Sequence, residues 1–171
     1  MEKKYKIQKG LVLASFAHKG FTLIELLVSI SIIGILAAVG LVSFSGSQKQ
    51  ARDSARKSDI KQYQNSLELF ANQNYGMFPS RTDGNGAVAS TTLCLDLNLT
   101  SCPEDSRFEN DSSFVYKYQS NGTGAGTVDA TTYVLWSKLE GEATTTYWVI
   151  CSNGLVGEAT AGIPPVGTCP L

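Results

Sequence analysis

From Leu26 to Phe44 the chain runs 19 residues without a charge. At about 1.5 Å of rise per residue this is roughly 28 Å of helix, close to the hydrocarbon thickness of a bilayer. A second pattern begins at Gln48 and continues to Asn74. Ile60, Tyr63, Leu67, Phe70 and Ala71 recur at helical spacing on one face. Arg52, Arg56, Lys57, Lys61 and Glu68 fall largely on the other faces, with Asp53 and Lys57 forming an acid-to-base i,i+4 pair. These charges are read as a solvated face or as contacts between subunits, in preference to a basic patch for lipid headgroups. Ser45-Gly46-Ser47 is only a weak break, so both patterns are expected to lie on one long helix, from Phe21 to about Asn74. Its end is signalled by Asn72-Gln73-Asn74-Tyr75-Gly76, and Pro79 forbids continuation.

Beyond the helix, residues 80 to 113 are loop-like, with one short apolar piece at Leu93 to Leu99. Three runs then read as strands: Phe114 to Gln119, Thr131 to Glu140 and Thr144 to Cys151. Turn signals separate them, so they predict an antiparallel meander with one apolar face over the helix. Trp136 and Trp148 are read as core in preference to a sugar-binding surface. The tail, Ile163 to Leu171, carries Pro164, Pro165 and Pro170 and cannot be a central strand; it is expected to lie over the sheet. The fold class expected is α+β, a long helix packed on a small antiparallel sheet.

A length of 171 residues suits one domain and a membrane segment. The overall charge of −1 conceals an asymmetry: residues 1 to 20 hold five lysines against Glu2, a net +4, leaving −5 for the remainder. A basic segment before an apolar helix predicts a cytoplasmic N-terminus and an exported C-terminal part. No basic patch survives in that part, which argues against nucleic acid as the main partner. The four cysteines, Cys94, Cys102, Cys151 and Cys169, all follow the apolar run. In an exported domain they read as disulfides, with three connectivities open. Local closure favours Cys94 with Cys102 and Cys151 with Cys169. Zinc is a weak rival, because there is no CxxC and the single histidine, His18, precedes the apolar run. No catalytic constellation is found, and Glu104, Asp105, Glu109 and Asp111 read as solvated acids. The N-x-S/T triplets at Asn98, Asn110 and Asn121 are read as chance occurrences. The chain looks like a substrate of enzymes, not an enzyme.

One residue disturbs the reading of a plain anchor. Glu25 lies at the start of the apolar run, where a carboxylate asks for a partner. Lys19-Gly20-Phe21-Thr22-Leu23-Ile24-Glu25, followed by that run, closely resembles the prepilin cleavage signature of type IV pilins and type II secretion pseudopilins. The resemblance implies a leader at 1–20, a membrane or filament-core helix at 21–44, its amphipathic continuation at 45–75 and an extracytoplasmic head at 76–171. It implies cleavage after Gly20 and N-methylation of Phe21 by a prepilin peptidase/methyltransferase. It further implies that Glu25 neutralises the new amine of its own chain or of a neighbour. The implied partners are further pilin subunits in a helical polymer, an inner-membrane assembly platform and, before assembly, membrane lipid. NQNYGMFP resembles the Asn-x-Gly-x-Tyr-Pro turn of major pseudopilins, with Phe78 in place of Tyr. Some of those proteins carry calcium in their C-terminal loops, so calcium stays open with no ligands named, although Asp83-Gly84-Asn85-Gly86 is read as a polar turn. The family's helix proline is replaced here by Val42, leaving Gly34 and Gly40 to allow bending. Rival readings are ordinary signal peptidase cleavage near Ala17, a secretion pseudopilin, and a monomeric membrane-anchored binding protein.

Overall fold

The computed structural model describes residues 20–141, 144–160 and 168–171. Residues 1–19 of the expected leader, His18 among them, and Ile163 to Gly167, on which several expectations bear, lie outside the described residues. Two compact units are present, one ending at Leu41 and one spanning Val42–Leu171. Helix α1 is Leu23–Gln73, 51 residues without interruption at Gly34, Gly40 or Val42. It starts two residues later than expected because Thr22 caps it. At its other end the Gly76 N–H reaches back to the Ala71 carbonyl at 2.8 Å. Tyr75 and Gly76 both take positive φ there, 56° and 81°, a pair of left-handed residues that stops the helix.

In the second unit, β1 (Phe78–Pro79) pairs with β4 (Val128–Ala130). The main sheet has five antiparallel strands in the order β2 (Ala87–Val88), β3 (Lys117–Ser120), β5 (Tyr133–Lys138), β6 (Tyr147–Cys151), β7 (Val156–Ala159). The expected meander is its centre, β3-β5-β6, but each strand is shorter than its alternating run. Phe114 is not in a strand, because a turn at Asp111, closed by the Ser113 and Phe114 N–H groups, occupies the start of that run. The outer strand β2 and the β1–β4 pair are too short to show a period-two pattern, and β7 carries Gly157 and Glu158 in place of strand-forming side chains. The segment expected to be loop contains a π-helical turn, Ala89–Leu93, leading into a single helical turn, α2 (Cys94–Asp96).

Ile60, Tyr63 and Leu67 are completely buried against Tyr118, Tyr133, Leu135 and Ile150 of the sheet. Phe70 is only half-buried. Four core tyrosines place their rings inside and find a partner for each hydroxyl. Tyr63 donates to the Pro103 carbonyl (2.8 Å), Tyr116 to Asp59 (2.6 Å), Tyr118 to the Pro79 carbonyl (2.7 Å) and Tyr133 to Glu68 (3.0 Å). Burial pushes all four phenols up from their ordinary value. Phe78, after the turn, packs edge-on against Tyr133 with centroids 4.7 Å apart.

Strand β5 is buried on both faces up to Ser137. Its second face, with Val134 and Trp136, packs with Val149, Cys151 and Cys169. The Trp136 ring tip occupies the place where Gly86, at φ +72°, has no Cβ. Trp136 is therefore core, and Trp148 is partly buried with Lys57 Nζ 4.2 Å from its ring centroid. Cys94 is bonded to Cys102 and Cys151 to Cys169, with Cα separations of 5.8 and 5.7 Å. The second bond ties the chain's last residues to β6.

Candidate functional site

Every residue from Gly20 to Leu41 is exposed, including Phe21 at 90% and Leu41 at 72%. By length and composition, α1 contains a stretch able to cross a membrane. Its two serines do not interrupt that surface. Ser29 donates to the Glu25 carbonyl at 2.7 Å and Ser31 to the Leu27 carbonyl at 2.8 Å, so both hydroxyls are satisfied inside the helix.

Glu25 stands in the first turn of α1. Its Oε2 accepts both the Thr22 N–H, at 2.8 Å, and the Thr22 hydroxyl, at 2.6 Å. The Glu25 N–H in turn donates to Thr22 Oγ1 at 3.2 Å. This reciprocal arrangement is a capping box. Sequence reasoning passed over Thr22, yet Thr-x-x-Glu ahead of an apolar run is its ordinary signal. The carboxylate thus has a local role, orienting the first turn. Phe21, Ile24, Glu25, Val28 and Ser29 line a shallow open depression on this face.

A second charged site lies in the head. Arg56, expected on a solvated face, is 1% exposed, and Asp105, expected to be solvated, is 6% exposed. They are hydrogen-bonded to each other through Arg56 Nε and Asp105 Oδ2, with Arg56 Nη2 3.1 Å from Asp105 Oδ1. Arg56 also reaches Asp53 at 2.7 Å and Glu140 at 2.5 Å. Glu140 accepts further bonds from Arg52 Nε (2.9 Å), Arg52 Nη2 (2.6 Å) and Arg107 (2.9 Å). Asp53 additionally accepts the backbone N–H groups of Glu140 and Gly141 at 2.9 Å each. The cluster clamps α1, the loop holding Asp105 and the corner after β5 together. Its hydrogen bonds, that from Arg52 first, outweigh burial and hold the Glu140 carboxyl at about 2. Burial opposes the charge on Arg56, but its bonds to Asp105, Glu140 and Asp53 prevail and raise its pKa above the ordinary value.

The other sequence candidates are placed as follows. Gly20 and Phe21 precede α1 and are exposed. Glu104 and Glu109 are exposed, as expected, and Asp111 caps its own turn. Asp83 also forms a turn, accepting the Asn85 N–H at 3.0 Å on its side chain. Among the described residues no group of three or more His, Cys, Asp or Glu side chains is placed to hold a metal ion.

Residues 15–41 match the family model described as the prokaryotic N-terminal methylation motif. Over 115 residues the chain is 31% identical to fimbrial protein Q of Moraxella bovis, covering 67% of this chain and 69% of that protein. The chain belongs to the type IV pilin and pseudopilin family. Two shorter similarities fall on both branches of that family. The pilin-like chain is 35% identical over 83 residues to a fimbrial protein of Neisseria meningitidis, 44% of either chain. It is 32% identical over 71 residues to the type II secretion system core protein G of Escherichia coli, 42% of this chain and 48% of that one. The chain thus spans about half the length of these two relatives. Its methylation motif coincides with the exposed helix start and the Thr22–Glu25 capping box.

Proposed function

We propose that the protein is a structural subunit of a type IV pilus-like filament. It is inserted as a prepilin with its N-terminus cytoplasmic, cleaved after Gly20 and N-methylated at Phe21. It then polymerises through its apolar helix, drawn from the membrane by an assembly platform. The observation that carries this reading is the surface from Phe21 to Leu41, exposed throughout and charged only at Glu25. An isolated chain cannot keep so long an apolar surface in water. Lipid covers it before assembly and other copies of the same segment cover it afterwards.

Within that packed core, Glu25 pairs with the methylated amine of Phe21 of a neighbouring copy. Either charge alone is costly in an apolar core, whereas a hydrogen-bonded pair is tolerated. Only one axial stagger forms the pair, so charge sets register. Thr22 holds the carboxylate in place for the incoming amine.

A second reading is a pseudopilin of a type II secretion system, in which a short filament stays in the envelope. The turn at Asn74 to Pro79 and the similarity to the core protein G favour it. Mass spectrometry of the N-terminus in sheared-surface and envelope fractions decides. N-methyl-Phe21 in sheared filaments is the expected result. Processed chain confined to the envelope gives the second reading, and a chain beginning at Met1 in both fractions overturns both. Glu25→Ala should leave cleavage intact and reduce filament yield at least tenfold, counted by electron microscopy, if the ion pair contributes about 1.4 kcal/mol or more.

A further inference from the structure

The cations around Phe114 do not all serve the ion cluster. Arg56, Arg107 and Lys138 approach its ring at 4.5, 4.7 and 4.8 Å from the centroid. Phe114 is buried and forms the floor of a cleft of about 240 Å³. Lys49, Arg107 and Lys138 stand around that cleft, with the hydroxyl side chains of Thr144 and Thr145 at its rim. Glu140 is the one carboxylate at the cleft among the described residues, and its two oxygens already accept from Arg52, Arg56 and Arg107. Within the cluster three arginines face Asp53, Asp105 and Glu140, so those charges cancel. Lys49 and Lys138 are then set against Asp111 alone, which leaves one positive charge in surplus. Lys138 donates to Ser113 Oγ at 3.0 Å and faces Asp111 only at longer range, without a direct ion pair, and Lys49 has no ion pair among the described residues.

The position of Lys49 says what this positive cleft meets. The apolar run ends at Phe44, and Lys49 follows five residues later on the same helix. That is about 7.5 Å further along the axis. The polar headgroup layer outside the hydrocarbon is about 5–8 Å deep on each side. Five residues reach at most about 18 Å in any conformation, so a chain whose apolar run fills the hydrocarbon keeps Lys49 within reach of the headgroup layer. The cleft offers what a phosphate monoanion needs: two ammonium groups, the outward N–H groups of an arginine and hydroxyl donors.

We propose that the Lys49, Arg107 and Lys138 cleft binds the phosphate headgroups of anionic phospholipids while the subunit stands in the membrane. The proposal rests on the reading of the chain as a membrane-held subunit. Bound there, the headgroup seats the head against the bilayer surface until the subunit is drawn into a filament.

The test is native mass spectrometry of the full-length chain in detergent, titrated with phosphatidylglycerol or with phosphatidylcholine. The wild type should retain phosphatidylglycerol in preference to phosphatidylcholine. The double variant Lys49→Gln/Lys138→Gln should lower phosphatidylglycerol affinity about thirtyfold, since each lysine near an anionic surface contributes about fivefold. Lys61→Gln/Lys117→Gln removes the same charge away from the cleft and should retain the wild-type preference. Equal losses in the two double variants, or no loss in either, overturn the proposal. So does a fall in filament yield of the cleft variant with unchanged phosphatidylglycerol affinity, which gives the cleft to a carboxylate of a second copy. Carbonate extraction of membranes tests the underlying reading separately. Release of the wild-type chain removes the membrane reading, whereas a retained chain without phosphatidylglycerol preference removes the cleft alone.

Discussion

Leu27 and Leu67 belong to the same helix and meet opposite fates. Leu27 is 61% exposed, and Leu67 is fully buried beneath the sheet. Around Leu67 the helix alternates faces, and the head supplies tyrosines, leucines and β-branched residues to cover the apolar one. Around Leu27 there is no such alternation, and nothing in the chain's own described residues covers any face. One stretch is thus completed by folding and the other, on the proposed function, by association. The contrast extends to the charges. Glu25 is held by a neighbouring threonine in an exposed turn, whereas Glu140 is held by three arginines in the interior.

The sharpest way to break this contrast is Arg56→Ala. It leaves Asp105 and Glu140 buried with a main partner gone, and should cost about 3–5 kcal/mol of head stability. Thermal unfolding of the full chain in detergent, followed by near-ultraviolet circular dichroism, reads it; a loss below 1 kcal/mol would show that the cluster is solvated after all. Next, Leu67→Ala should cost about 2–5 kcal/mol by the same measurement. Reduction of the disulfides should remove about 2–4 kcal/mol for each bond that closes a loop. Acid comes next. The Glu140 carboxyl is depressed from 4.5 to about 2 in the fold. Its contribution is therefore complete above about pH 4.5 and is lost as pH falls through 2. The loss should be on the order of 2–3 kcal/mol, and it should be largely absent in Glu140→Gln, whose melting temperature is already lowered at pH 7. The smallest effect belongs to Leu27→Ala, expected to change head unfolding by no more than about 0.5 kcal/mol. If Leu27→Ala instead destabilises the head like Leu67→Ala, the division between folding and association fails.

Local pattern made the helix and the centre of the sheet legible. An unbroken apolar run, a helical stripe at Ile60, Tyr63 and Leu67, a terminating Asn-x-Gly and three alternating runs are all signals confined to short windows. The α+β architecture and the centre of the sheet follow from them. What escaped was built from partners far apart. Arg56 meets Asp105 across 49 residues and Glu140 across 84. Nothing in a window around any one of them distinguishes a buried arginine from a solvated one. The short strands β2 and β7 escaped for other reasons: two residues cannot establish a period, and β7 carries Gly157 and Glu158 in place of β-branched or aromatic side chains. The Thr22 capping box was legible and overlooked, because the apolar run and its acid drew the reading toward an amine partner, of its own chain or of a neighbour.

The cluster around Arg56 also acts as a key in a keyway. Successive residues of a helix are turned by about 100°. A head displaced by one residue along α1 would present Asp105 and Glu140 to a different side chain and leave three buried charges unmatched. Greasy contacts such as Leu67 against Leu135 tolerate sliding, but this lock does not. The angle at which the sheet sits about this part of α1 is consequently fixed by the angular position of Arg56.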